Sequence, residues 1–309
     1  MPMSAIPRRV ILLLSAGLLL AGCQPPPPPP PTAAIAATKP AQAVRQLTAH
    51  LRDNELQAFA REAVPPELHG RLEAAWREGR TRWPLDELPF GSRLPEMLAA
   101  LAAPDAEAHL QQVFERQFAG ADRALKTAAA SLGLFGAQYV AHEAGYSDDE
   151  RQHYAQLIAA ISQWGASAPL GDRQRARQAL AQLAGAARRT GLTSAAAFRE
   201  AGMDASLRRL GPFAAAFKQA LTAYGLDLDA DLGTLEASLQ QQTGDRARVR
   251  MRYRLAGQDI DTVVSLRRVD GRWYLADYLR HAEAALARPA PAHAVPSGTV
   301  TGPGPRARR

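Results

Sequence analysis

Residues 246–255 read RARVRMRYRL, a strict alternation of arginine with apolar side chains. A period of two belongs to a strand with one buried face. Val249, Met251, Tyr253 and Leu255 share one side; Arg248, Arg250, Arg252 and Arg254 share the other. After Ala256-Gly257-Gln258-Asp259 a second strand is expected over residues 260–269. Asp270-Gly271 is a tight-turn signal, and residues 272–278 supply a third strand. Closing the first hairpin with a four-residue loop pairs Leu255 with Ile260, Tyr253 with Thr262, Met251 with Val264 and Val249 with Leu266. The other face then sets Arg254 opposite Asp261 and Arg250 opposite Ser265. One apolar and one polar face describe an antiparallel sheet packed on helices from one side. A short helix over residues 281–287 is expected to follow.

Upstream of Gly244 the pattern has helical period, from Ala41 to about Gln242. Leu47, Leu51, Leu56 and Phe59 give a first helix its apolar face, which Pro65-Pro66 ends. Leu68, Leu72 and Trp76 mark a second, and Pro84, Pro89, Gly91 and Pro95 a loop-like break. Pro104-Asp105 opens a helix through Leu110, Val113, Phe114 and Phe118. Ser147-Asp148-Asp149-Glu150 is a capping box ahead of Tyr154, Leu157, Ile158 and Ile161. Asp172 caps another helix, and Phe213, Phe217, Leu221 and Tyr224 line one that Gly225 terminates. The expected fold class is α+β, mostly α: a helical domain, then a small three-stranded antiparallel sheet and a short C-terminal helix. The expected segments are 1–22, 23–43, a helical region 44–210, a helix plus sheet 211–287, and a low-complexity tail 288–309 expected to be disordered.

The helix from Pro212 and the meander GDRARVRMRYRLAG…DTVVSLRRVDGRWYLADY resemble the final strands of small NTF2-like lipoprotein domains. The resemblance implies a cone-like apolar pocket between sheet and helix, lined by Met251, Tyr253, Val264 and Trp273.

The N-terminus supplies an address. Arg8-Arg9 precede an apolar run over residues 10–20, then Leu20-Ala21-Gly22-Cys23. That run is shorter than the roughly 20 residues a spanning helix needs, so it reads as a secretory signal. Residues 20–23 resemble the lipobox of bacterial lipoproteins at every position. The resemblance implies cleavage before Cys23, a diacylglycerol thioether on its sulfur and an acylated amino group, chains enough for stable anchoring. Gln24, in place of Asp, implies sorting to the outer membrane. Arg8-Arg9 also fit a twin-arginine signal in part; with Ile11 where that signal has Phe, plain Sec export fits better. Pro25–Pro31 follow as a polyproline II spacer of roughly 22 Å.

Cys23 is the one cysteine, so a lipidated chain has none for a disulfide. The pI near 10 is a property of the ends, because residues 44–287 hold 30 basic and 30 acidic side chains. Nucleic acid is therefore not an expected partner. The membrane is, through the lipid, with lipopolysaccharide, peptidoglycan or another envelope protein as further candidates.

Asp227, Asp229 and Asp231 have the spacing of a calcium loop's first ligands, but Leu232 and Ser238 stand where that loop needs Gly and Glu. A polar turn with a helix N-cap is the expectation. His142-Glu143 opens an H-E-x-x-H pattern that Tyr146 breaks, and His50, His69, His109, His153 and His281 have no ligand spacing. No metal or cofactor and no catalytic residue are expected. Arg248, Arg250, Arg252 and Arg254 remain as a candidate anion-binding row, with compensation by Asp261 and the acidic helical region as the competing reading. The expected role is a non-catalytic envelope interaction module. A ligand-binding domain is the alternative, and a peptidoglycan hydrolase a distant third.

Overall fold

A computed structural model describes residues 38–288. The lipobox-like Leu20–Cys23, most of the proline-rich segment and residues 289–309 lie outside the described residues.

The alternating segment is strand β2 (Arg246–Leu255), with every second residue buried. It lies in an antiparallel sheet of order β1-β2-β3-β4, with β1 (Glu236–Thr243), β3 (Gln258–Val269) and β4 (Arg272–Leu275). The sheet thus has four strands, where three were expected. The additional one, EASLQQQT, lies in the stretch up to about Gln242 whose pattern suggests helix. It is an edge strand exposed on nearly all its length, so burial imposes no alternation on its sequence. Its partner makes it a strand: Gly244, at φ 57°, opens the turn that folds it back on β2.

The first expected register is also corrected. Ala256 and Gly257 both take positive φ, 53° and 79°, and close a two-residue turn. This pairs Leu255 with Gln258, Tyr253 with Ile260, Met251 with Thr262, Val249 with Val264 and Arg252 with Asp261. The primed twist of such a turn matches that of its strands, which favours it over four residues. The difference is an even number of residues, so every side chain keeps its expected face.

Eleven α-helices are present among the described residues. They are α1 (Pro40–Arg52), α2 (Leu56–Ala63), α3 (Pro66–Arg77), α4 (Leu94–Ala102), α5 (Ala106–Gln117), α6 (Asp122–His142), α7 (Asp148–Ser167), α8 (Arg173–Thr190), α9 (Ala195–Ala223), α10 (Leu228–Gly233) and α11 (Ala276–Ala287). The expected first helix is two, α1 and α2, separated where Asn54 turns at φ 61°. The last strand is shorter than expected and α11 begins earlier, since Leu279, Ala282 and Ala285 bury one helical face. Ser147 and Glu150 form the expected capping box at α7, and the Asp172 carboxylate accepts from Arg175 N at α8. In α9, Gly202 breaks the helix at φ 78°, ψ 172°; a Cβ there would lie 2.2 Å from Glu73 Oε1.

Two apolar clusters hold these elements. One surrounds Leu72, Trp76, Trp83, Leu98, Phe198, Met203 and Leu207 and includes Tyr274 and Leu279. The other is the apolar sheet face packed on Ala43 and Val44 of α1, Ala160 of α7 and Leu226. Adjacent β4 residues join them, Trp273 in one and Tyr274 in the other. Helices from the 44–210 segment therefore wall the sheet's own core, and the expected boundary at 210/211 falls inside α9. α7 also caps a part of β3 that β4 leaves unpaired: Gln156 Oε1 accepts from Asp261 N and Gln156 Nε2 donates to Asp261 O, both at 2.9 Å.

Candidate interaction surfaces

α6 inverts the usual arrangement of a surface helix. Along its middle, Gly133 and Gly136 face the protein while Leu132, Leu134, Phe135 and Tyr139 face water. Gly133 lies against α7 so closely that a Cβ would meet Ser162 Oγ at 2.1 Å, and one on Gly136 would meet Ile158 at 3.3 Å. Ser162 Oγ donates to Ala129 O at 3.1 Å in the same seam. On the outer surface Leu132, Leu134, Phe135 and Tyr139 are 70%, 72%, 69% and 62% exposed. Leu132, Phe135 and Tyr139 form one stripe at helical spacing. Single exposed apolar residues are ordinary; a contiguous set on one helix marks an interaction surface. This site was missed in the sequence, although the signal is present: L-G-L-F-G-A-Q-Y sets glycine on one helical face and bulk on the other.

The arginine row is largely neutralised. Arg248 reaches Asp149 Oδ1 at 3.0 Å, Arg250 grips Asp261 with two donors, and Arg252 reaches Glu236 Oε2 at 3.0 Å. Two of these acids are the expected ones, Asp261 and an α7 residue; Glu236 comes from the unforeseen strand. Arg254 has no side-chain partner among the described residues, but it stands directly opposite Asp259.

Met251, Tyr253, Val264 and Trp273 come together as predicted from the sheet, and what they meet is protein. All four are buried in the second cluster, with Leu157, Trp164 and Leu221 packed around it. The face expected to line a pocket is buried against residues of α1, α7 and α9. The Tyr253 hydroxyl lies 2.7 Å from His153 Nε2, and burial holds His153 at about 4, neutral at physiological pH. Two surface clefts lie elsewhere: one of about 530 Å³ beside Asn54, Leu56 and Arg208, and a shallow one of about 660 Å³ along Arg123, Thr127 and Ser131.

The aspartates of the calcium-like segment are occupied by protein groups. Asp227 caps α10 by accepting from Ala230 N at 3.0 Å, Asp229 pairs with Lys218, and Asp231 accepts from Ala256 N at 2.8 Å. Among the described residues no group of three or more His, Cys, Asp or Glu is placed to hold a metal. His142 Nδ1 sits 2.8 Å from the Gln138 carbonyl within its own helix.

A half-buried ionic cluster joins three distant segments. His281 of α11 lies with Nδ1 2.8 Å from Glu87 Oε2 and Nε2 3.2 Å from Glu150 Oε1. Arg280 pairs with Glu150 and, at 2.8 Å, with Asp277. Hydrogen bonds to Glu150 and Glu87 outweigh desolvation and lift His281 to about 9. Burial pushes Glu150 up, but the bonds from His281 and from Ser147 N hold it below the ordinary carboxylate value. With both ring nitrogens donating, this imidazolium has no lone pair to act as a base at neutral pH. It is an ionic cross-link between η-turn Leu85–Glu87, α7 and α11. His50, between Glu55 at 2.7 Å and Glu62 at 2.8 Å, repeats the device nearer the N-terminus, with its pKa likewise raised by the Glu62 bond foremost.

Comparisons with known protein families, with curated proteins and with solved structures find no match to this chain.

Proposed function

We propose that the protein is a lipoprotein anchored in the outer membrane that acts without catalysis, as an interaction or assembly module of the bacterial envelope. The observation that carries the interaction role is the outward apolar stripe of α6, Leu132, Phe135 and Tyr139. The lipobox Leu20-Ala21-Gly22-Cys23 supports the anchoring. A stripe of this kind left in water is a solubility liability, so a partner protein that covers it accounts for its retention. The ligand-binding alternative would draw on Met251, Tyr253, Val264 and Trp273, which are buried together in one apolar cluster.

In-cell crosslinking tests the reading. A photo-reactive residue in place of Phe135 is expected to yield one discrete adduct with an envelope protein. The same residue in place of the exposed Arg209 is expected to yield none. No adduct at Phe135, or the same adducts from both positions, contradicts the proposal.

A further inference from the structure

Besides Arg254, the arginines of the sheet without an acidic partner among the described residues are Arg246, which opens the alternating segment, and Arg267 and Arg272 beyond it. They gather at the opposite end of β2 from Arg254. Register sets Arg246 directly against Arg267, and Val269 against Arg272. Strand parity then places Arg246, Arg267 and Arg272 on one face: Arg246 and Arg267 are directly opposed, and Arg272 is a diagonal neighbour of Arg267, whose direct partner on β4 is Tyr274. All three are exposed.

Directly opposed residues of antiparallel strands have Cβ atoms about 4.5–5.5 Å apart, and like charges there are destabilising. Elsewhere on this face the fold avoids the problem: Arg252 opposes Asp261, Arg254 opposes Asp259, and Arg248 opposes Ser265 with Asp149 at hand. At the Arg246–Arg267 pair it does not. Neither side chain has a partner among the described residues. Asp245, beside Arg246, is taken by Arg268 Nε at 2.9 Å, and Arg268 lies over Trp273 on the other face. Asp270, in the β3–β4 turn, pairs with neither. Arg272 sits against the Tyr274 hydroxyl, which brings no negative charge at neutral pH.

We propose that Arg246, Arg267 and Arg272 form a binding site for a phosphate-group dianion. Guanidinium forks bind phosphate oxygens two at a time, and adjacent strands hold the Arg246 and Arg267 forks at a separation one phosphate can bridge. The bound anion removes the repulsion that the empty pair carries. This site is independent of the α6 surface and of the lipid anchor. The phosphate group can belong to a soluble ester or to a lipid headgroup.

The test is thermal unfolding of the full chain in detergent, with inorganic phosphate titrated against sodium chloride at constant ionic strength. Without phosphate, Arg267→Gln is expected to raise Tm by about 1–3 °C, because it removes a like-charge contact. Phosphate is expected to raise the wild-type Tm and that of Arg254→Gln equally, and to move Arg246→Gln and Arg267→Gln less than half as far. Broadening of the phosphate 31P resonance should follow the same order. The Cys23→Ser chain with vesicles that carry or lack lipid A identifies the source. Arg267-dependent co-sedimentation with lipid A assigns the phosphate to a headgroup; a thermal shift without it assigns a soluble ester. Equal phosphate responses in wild type, Arg246→Gln and Arg267→Gln overturn the proposal. So does an equal loss in Arg254→Gln, which would mean diffuse attraction to a basic sheet.

Discussion

Glu150→Ala is expected to lower stability at pH 7 by about 3 kcal/mol, measured by urea denaturation. This carboxylate is buried and serves two structures at once. It closes the capping box by accepting from Ser147 N at 2.8 Å, and it receives His281 and Arg280 of α11. Its removal leaves a half-buried imidazolium with one acidic partner, Glu87, and frees the start of α7. The effect has a signature in pH. His281 is raised from 6.5 to about 9 on folding, so its stabilisation is complete below pH 6.5 and is lost as pH rises through about 9. Glu150 is lowered, so its contribution is present above the ordinary carboxylate pKa and is lost in acid. Wild-type stability should therefore fall between pH 6.5 and 9, and Glu150→Ala should flatten that slope. An unchanged slope would mean that the His281 link contributes nothing.

Trp76→Ala is expected to cost about 3–5 kcal/mol, the usual loss for a buried aromatic ring. Trp76 is fully buried in α3, packs 6.2 Å from the Phe198 ring and donates Nε1 to the Phe198 carbonyl at 2.8 Å. It thereby ties α3 to the first turns of α9. Because β4 contributes neighbouring residues to both apolar clusters, loosening the helical cluster should propagate to the sheet. One transition, coincident by far-UV circular dichroism and tryptophan fluorescence, is the expected result. Two separated transitions would show that sheet and helices unfold independently.

The parts of this fold that were legible in sequence are those where burial and backbone demand act on neighbouring residues. β2 alternates because one of its faces is a core and the other is water. The α7 capping box is a four-residue contact within one turn. β1 escaped because an edge strand exposed on both faces carries no period, and only pairing with β2 defines it. The hairpin register escaped because the loop alternatives differ by two residues and leave every face unchanged. The His281 cluster draws on positions 87, 150 and 281, which no spacing rule connects. α6 escaped for a different reason. Apolar bulk is ordinarily assigned to the core side of a helix, and here Gly133 and Gly136 occupy the core side instead. The arginine row was legible as a row, but not the division of its charges. Asp149 and Glu236 neutralise two of its members from other elements, while Arg246 and Arg267 are brought together only by the register.

The proposed outer-membrane anchor at Cys23 has a direct consequence in the cell. Metabolic labelling with an alkyne fatty acid, combined with separation of inner and outer membranes, tests it most directly. Label on the wild-type chain in the outer-membrane fraction is the expected result. For Cys23→Ser, no label and loss of the protein from that fraction are expected. Outer-membrane retention of an unlabelled Cys23→Ser chain would contradict the proposed anchor.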